Sequence, residues 1–279
     1  MNKDLEMVMF DGYVLQFVKE QTEEICLEAV KENFWAIKYV ENQTREICLE
    51  AIRQNGCVLQ YIKEQTEELC LEAVRENGQA LEFVKEQTPE ICLEAVKENG
   101  MALQYVENQT PEICLAAVKD IGWALEYVKE QTEEICIEAV KQDGYALKFV
   151  KEQTEEICIA AVKQEGYALR YVNNKTEEIC VEAVKQNGIA LQFVDEHLLS
   201  YKDGYYYMDG IENKRMYICK NRKLIVNIMD DETLFSIGCQ VRISKEQFID
   251  RIYNKDGGFD LEKGINVHRQ EYLDILKNY

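Results

Sequence analysis

Eleven cysteines and two histidines are the residues of this 279-residue chain whose types could support redox, metal or nucleophilic chemistry. Eight of the cysteines, Cys26, Cys48, Cys70, Cys92, Cys114, Cys136, Cys158 and Cys180, recur every 22 residues without a slip. Equivalent residues of stacked helical units lie ~8–10 Å apart, too far for a disulfide, whose Cα atoms need about 4.4–6.8 Å. No Cys-x-x-Cys occurs, and zinc requires its thiolates to converge on one point. Each of the eight has aliphatic neighbours on both sides, so the column reads as small buried hydrophobes and unpaired thiols of a reducing compartment. His268 with Cys239 is the one conceivable nucleophile–base pair, and no local signature supports it. His197 simply fills a place that other repeats give to Gln or Lys. No glycine loop is built to cradle phosphate. The expectation is a chain with no catalytic residue, no metal and no cofactor.

The same period governs the elements that carry these residues. Thr22, Thr44, Thr66, Thr88, Thr110, Thr132, Thr154 and Thr176 share it, as do glycines from Gly56 to Gly188, with Gly12 one register earlier. Phe34 stands in the glycine place of the first complete repeat. Each threonine suits a helix N-cap, where its hydroxyl accepts an orphan amide of the first turn. Glu23 and Glu24 then complement the positive end of the helix dipole, and Lys31 the negative end. Pro89 and Pro111, the only prolines, each follow a capping threonine, which is the first helical position. Asn-Gly pairs such as Asn77-Gly78 predict a left-handed glycine stop, and Phe34 would then cost about 1 kcal/mol at its position. A second short helix follows at once, as in Tyr145 to Glu152. At about 100° per residue, Ile25, Cys26, Leu27, Ala29 and Val30 sweep roughly 200° of the first helix, far wider than the stripe of a surface helix. Such units close a core only by stacking. The fold expected is mainly α: an α-solenoid of 22-residue two-helix repeats over residues 1–197, with a degenerate leading unit at 1–21 and eight repeats at 22–197.

The string Ala-Val-Lys-x-x-Gly-x-Ala-Leu-x-x-Val, at Ala139 to Val150 and Ala161 to Val172, resembles the helical repeats grouped as domain of unknown function 4116. Those repeats are found in large DNA viruses, some bacteria and protists. The resemblance covers roughly residues 1–197. It implies a helical array of viral or virus-like origin and carries no activity over to any residue.

Beyond Leu198 the period ends and the composition changes. Tyr205 to Met208 lead into the turn signal Asp209-Gly210. Arg215 to Cys219, Leu224 to Ile228 and Leu234 to Ile243 read as strands. Helices are expected after the capping box Ser244…Gln247 and over His268 to Leu276. Residues 198–279 thus form a small α+β domain, most simply a cap over the open end of the array.

The charge separates the same two segments. Residues 1–197 hold 19 Lys+Arg against 39 Asp+Glu, whereas 198–279 hold 13 of each, so the whole formal charge of −20 belongs to the repeats. A chain this acidic is a poor direct ligand for nucleic-acid phosphates or an anionic membrane. It lacks an apolar run of transmembrane length, and Lys3, Asp4 and Glu6 argue against a cleavable signal. The varying position after each glycine holds Tyr13, Trp35, Cys57, Gln79, Met101, Trp123, Tyr145, Tyr167 and Ile189. Packing at the rim of the apolar arc explains such a column. Trp35, Trp123, Tyr145 and Tyr167 would alternatively line a partner-binding ridge, since Trp and Tyr dominate interface hot spots.

The leading expectation is a non-enzymatic cytoplasmic scaffold that binds a basic protein partner through an elongated acidic and aromatic surface. Its acidic part would be the carboxylate columns Glu24, Glu46, Glu68 and Glu90. The alternatives are an acidic mimic of a phosphate backbone that inhibits a basic DNA- or RNA-binding protein, and a structural spacer or virion component.

Overall fold

A computed structural model describes residues 3–202 and the strand segments 205–207, 214–219, 222–229, 232–237, 240–243, 259–260 and 265–266. The chain divides into two compact units, Met1–Lys151 and Glu152–Tyr279.

Unit one begins with α1 (Lys3–Phe10) and continues with α2 (Glu23–Glu32), α3 (Arg45–Gln54), α4 (Glu67–Glu76), α5 (Pro89–Glu98), α6 (Pro111–Asp120) and α7 (Glu133–Gln142). A six-residue 3-10 helix follows each α-helix, for example Gly56–Tyr61 after α3 and Gly122–Tyr127 after α6. Successive repeats pack in sequence order. Unit two contains α8 (Glu155–Gln164) and α9 (Glu177–Gln186) with their 3-10 helices, then β-strands. The expected α-solenoid of 22-residue repeats is therefore present, with one change of detail. The second helix of each repeat is a 3-10 helix closed by i→i+3 bonds, as in Ala36 N–H to Asn33 O (2.8 Å) and Val40 N–H to Ile37 O (3.3 Å). Extended residues on both sides, Asn33 (φ −148°) and Val40 (φ −71°, ψ 120°), leave room for only six residues, too few for a stable α nucleus.

Local chemistry agrees with the sequence at the helix starts. All eight threonines cap: Thr22 Oγ1 accepts from Ile25 N–H at 3.3 Å, and the other seven do the same at 3.3–3.5 Å. Pro89 and Pro111 occupy the first turn. The core repeats as Ile25, Cys26, Ala29 and Val30 from the α-helix with Ala36, Ile37 and Val40 from the 3-10 segment, while Leu27 is only half-buried.

The helix stop differs from expectation. None of Gly12, Gly56, Gly78, Gly100, Gly122 and Gly166 has a left-handed φ; Asn77 ends its helix in an extended conformation and caps the next segment through its side chain. Glycine is required by close approach instead. A Cβ on Gly78 would stand 2.4 Å from the carbonyl oxygen of Ala95 in the following repeat. Phe34 therefore bears no left-handed penalty, and the junction is altered around it. At Gly78, Gly100, Gly122 and Gly166 the glycine N–H donates to a side chain of the next repeat, as Gly122 does to Gln142 Oε1 (2.7 Å), whereas Gln54 at the Phe34 junction donates to Val30 O (2.9 Å).

In unit two, β1 (Ser200–Lys202), β2 (Tyr205–Tyr207), β3 (Lys214–Cys219), β4 (Arg222–Met229), β5 (Glu232–Ile237) and β6 (Gln240–Ile243) form an antiparallel meander in chain order. A separate pair joins β7 (Phe259–Asp260) to β8 (Ile265–Asn266). The run Leu234 to Ile243, expected as one strand, is two: β5 and β6 pair with Ile237 opposite Gln240. β4 lies beside the last 3-10 helix, Gly188–Phe193. The helices expected after Ser244 and over His268 to Leu276, and the residues Cys239 and His268, lie outside the described residues.

Candidate functional site

The repeat junction is built around the glutamine column whose place Lys175 and His197 take in the last units. Gln109 precedes capping Thr110 and uses its whole amide. Nε2 donates to Tyr127 O (2.9 Å) and Leu103 O (3.5 Å), and Oε1 accepts from Lys129 N–H (2.9 Å) and Cys114 Sγ (3.7 Å). The amide thereby ties its own repeat to the next. Gln21, Gln43, Gln65, Gln87, Gln131 and Gln153 reach the carbonyl 18 residues on at 2.8–2.9 Å and accept from the amide 20 residues on. Lys175 takes this place at the last junction and meets Asp195 instead, at 3.4 Å. The available signal was a polar residue repeating at one position of an otherwise amphipathic unit.

The cysteine column lies beneath these amides. Its members are 0–4% exposed and free. Burial pushes their thiols up, to about 11 for Cys158 and Cys180. Among the described residues no His/Cys/Asp/Glu group is placed to hold a metal. Thiol reactivity follows the thiolate fraction, so alkylation of Cys158 and Cys180 in the folded protein at pH 8 is expected to run about two orders of magnitude slower than in urea, with the rest of the column slowed in the same direction. Peptide mapping after timed alkylation checks this, and half-buried Cys57 should label before the column does.

Clefts open between successive repeats at the N-terminal ends of the helices. One of about 290 Å³ has Cys114, Gln109, Thr110 and Ile135 beneath Glu107, Lys129 and Glu130. Another of about 350 Å³ is lined by Lys63, Gln65, Glu67, Cys70, Lys85 and Glu86. The rim lysines are engaged: Lys129 Nζ donates to Val106 O (3.3 Å) and Glu107 O (2.7 Å).

Carboxylates at different helix positions meet different surroundings. Mid-helix they pair with cations in several repeats, as in Glu94 with Arg75 (3.1 Å) and Lys97 (3.3 Å), and Glu182 with Lys185 (3.0 Å) and Lys163 (3.7 Å). The hydrogen bond from Arg75 is the main cause holding Glu94 below the usual carboxylate range; Lys185 does the same for Glu182. At the N-terminal end Glu24, Glu46 and Glu90 are exposed and join no ion pair among the described residues. Glu68 differs: Arg45 grips both its oxygens, with Nε to Oε2 at 2.8 Å and Nη2 to Oε1, and holds it low. The four carboxylates expected as one column are thus three unpaired groups and one neutralised group.

The aromatic column packs between repeats. Trp35 meets Tyr61 edge-on at 5.6 Å, Trp123 meets Phe149 at 5.4 Å and Tyr167 meets Phe193 at 4.7 Å. Trp35, Tyr145 and Tyr167 are half-buried, while Trp123 is 42% exposed. Rim packing accounts for most of this column, and Trp123 is its most open described member. His197 is exposed in the 3-10 turn Glu196–Leu198.

A model of the family described as domain of unknown function DUF4116 matches residues 22–66, 44–88, 66–109, 88–132, 110–153, 132–176 and 154–199. Each window spans two repeats and so contains one complete junction. No curated protein and no solved structure matches the chain. No helix among the described residues is long and apolar enough to cross a membrane.

Proposed function

For a chain that belongs to the DUF4116 family, as this one does, we propose a non-enzymatic scaffold that binds a basic protein partner along the N-terminal edges of its helices. The carrying observation is the unpaired, exposed carboxylates Glu24, Glu46 and Glu90 in the first helical turn of the first, second and fourth complete repeats, set against the ion-paired mid-helix carboxylates Glu94 and Glu182. A helix N-terminus favours such carboxylates by about 0.3–1 kcal/mol each. That preference explains why they are tolerated there and leaves them available to a cationic surface. The free thiols suit a reducing compartment such as the cytoplasm.

The test is affinity capture from the native cell with mass spectrometry, using the full chain and its Glu24→Gln/Glu46→Gln/Glu90→Gln variant. A partner retained by the parent and lost by the variant, with helicity unchanged, is the expected result. Equal capture by both overturns the reading. Repeating the capture between about 50 and 200 mM salt separates a phosphate mimic, whose binding to a basic cleft should fall by orders of magnitude. Self-association in light scattering with no foreign partner would instead identify a structural spacer or virion component.

A further inference from the structure

Trp35 and Trp123 occupy the same repeat position four repeats apart, and their ring pairs are nearly superimposable in geometry. Trp35 meets Tyr61 at 5.6 Å and 71°, and Trp123 meets Phe149 at 5.4 Å and 68°. The first pair is occupied from within the chain: Lys38 Nζ sits 4.2 Å from each of the two ring centroids. An ammonium held over two ring faces is attracted by both quadrupoles. In the Trp123 repeat the position equivalent to Lys38 is Glu126. That wedge lacks its lysine and has a carboxylate where the lysine stem would begin.

Other observations agree. Trp123 is exposed, whereas Trp35 under its lysine is half-buried. Trp123 Nε1 donates to Asp143 Oδ2 at 2.7 Å, which anchors the indole and brings a second carboxylate to the wedge. Asp143 Oδ1 is fixed in turn by Tyr145 N–H at 2.8 Å. Lys148 Nζ lies 5.3 Å from the Phe149 centroid and covers that ring alone; among the described residues no ammonium lies over Trp123. Two carboxylates against one lysine leave the wedge negative.

The geometry points to the Trp123–Phe149 wedge as the seat for a lysine side chain of the partner, which takes the place that Lys38 takes between Trp35 and Tyr61. Glu126 and Asp143 supply the counter-charge. This rests on the scaffold reading above and names the chemistry of one contact within it.

The test uses the full chain with Trp35→Phe, which leaves Trp123 as its only tryptophan, titrated with hexalysine and followed by tryptophan emission. A saturable change in Trp123 emission is expected. Glu126→Lys should fill the seat from within, protect Trp123 from acrylamide and weaken hexalysine roughly tenfold. Glu82→Lys makes the same charge change at the same repeat position, in a repeat that has Gln79 in place of the tryptophan. It should weaken hexalysine by less than about threefold, the long-range charge effect alone. Equal losses in the two variants, or hexalysine binding with no change in Trp123 emission, overturn the seat. Hexa-arginine bound as tightly and with the same Glu126→Lys loss overturns its assignment to lysine. If Glu126→Lys leaves partner capture intact while the Glu24/Glu46/Glu90 variant abolishes it, the seat fails and the scaffold stands.

Discussion

Replacing Gln109 with leucine is expected to destabilise the array by on the order of 3 kcal/mol, because it orphans two backbone groups at one junction and removes a third contact. Tyr127 O loses its donor and Lys129 N–H its acceptor, while Leu103 O keeps the bond from Val106 N–H (3.1 Å). The Lys129 amide can turn to water, since its bond is exposed, so most of the cost falls on the part-buried carbonyl side. Leucine has a similar volume and restores none of these bonds. Gln104 in the same repeat supplies the control. Its amide donates only to Met101 O on the exposed side, so Gln104→Leu should stay within about 0.5 kcal/mol of the parent. Urea unfolding followed by circular dichroism measures both. A Gln109→Leu midpoint no lower than that of Gln104→Leu would show that the junction is held by apolar packing alone. Each repeat touches only its neighbours, so the damage should also be local. Hydrogen exchange is expected to rise first in α6 and α7.

Gly122→Ala carries the second large effect, and its sign is the informative part. At a helical position with open space the substitution would stabilise by about 0.4–1 kcal/mol, through a less flexible unfolded chain. Here the new Cβ would meet Ala139 O at 2.5 Å and Gln142 Oε1 at 2.9 Å. The glutamine can swing away; the carbonyl belongs to α7 and cannot move without shifting the helix. Overpacking of this kind costs about 1–3 kcal/mol. The expected outcome is a lower urea midpoint, and a raised one would mean that adjacent repeats are not in close contact at this glycine. At Phe34, in the one complete repeat with a larger residue there, Gln54 donates to Val30 O.

Much of this was legible from one chain because local rules act locally. Thr-Glu-Glu and Thr-Pro starts were readable as caps since an N-cap satisfies amides within three residues of itself. Ile25, Cys26, Ala29 and Val30 were readable as core because helical periodicity places them on one arc. The glycine column was found but misassigned. Its regular spacing looked like a helix stop, whereas its cause is an oxygen atom one repeat away. The role of Gln21 and its equivalents is not legible locally, because a glutamine before a capping threonine has no local signature; its main partners lie 18 and 20 residues on. The Glu column looks uniform; the one difference is Arg45, which stands where the other repeats have Glu or Pro, and its effect falls on Glu68 one repeat on, which only the packed structure reveals.

By itself, then, the sequence determined the period, the caps, the buried stripe, the family resemblance and the confinement of the net charge to residues 1–197. All of these depend on interactions within one turn of helix or on simple counting. Only the tertiary structure decided why the glycines are glycines, which glutamates remain unpaired, and which tryptophan has an ammonium between its rings. Those properties depend on atoms about 20 residues away in sequence and 3–5 Å away in space, a relation that exists only after one repeat is laid on the next.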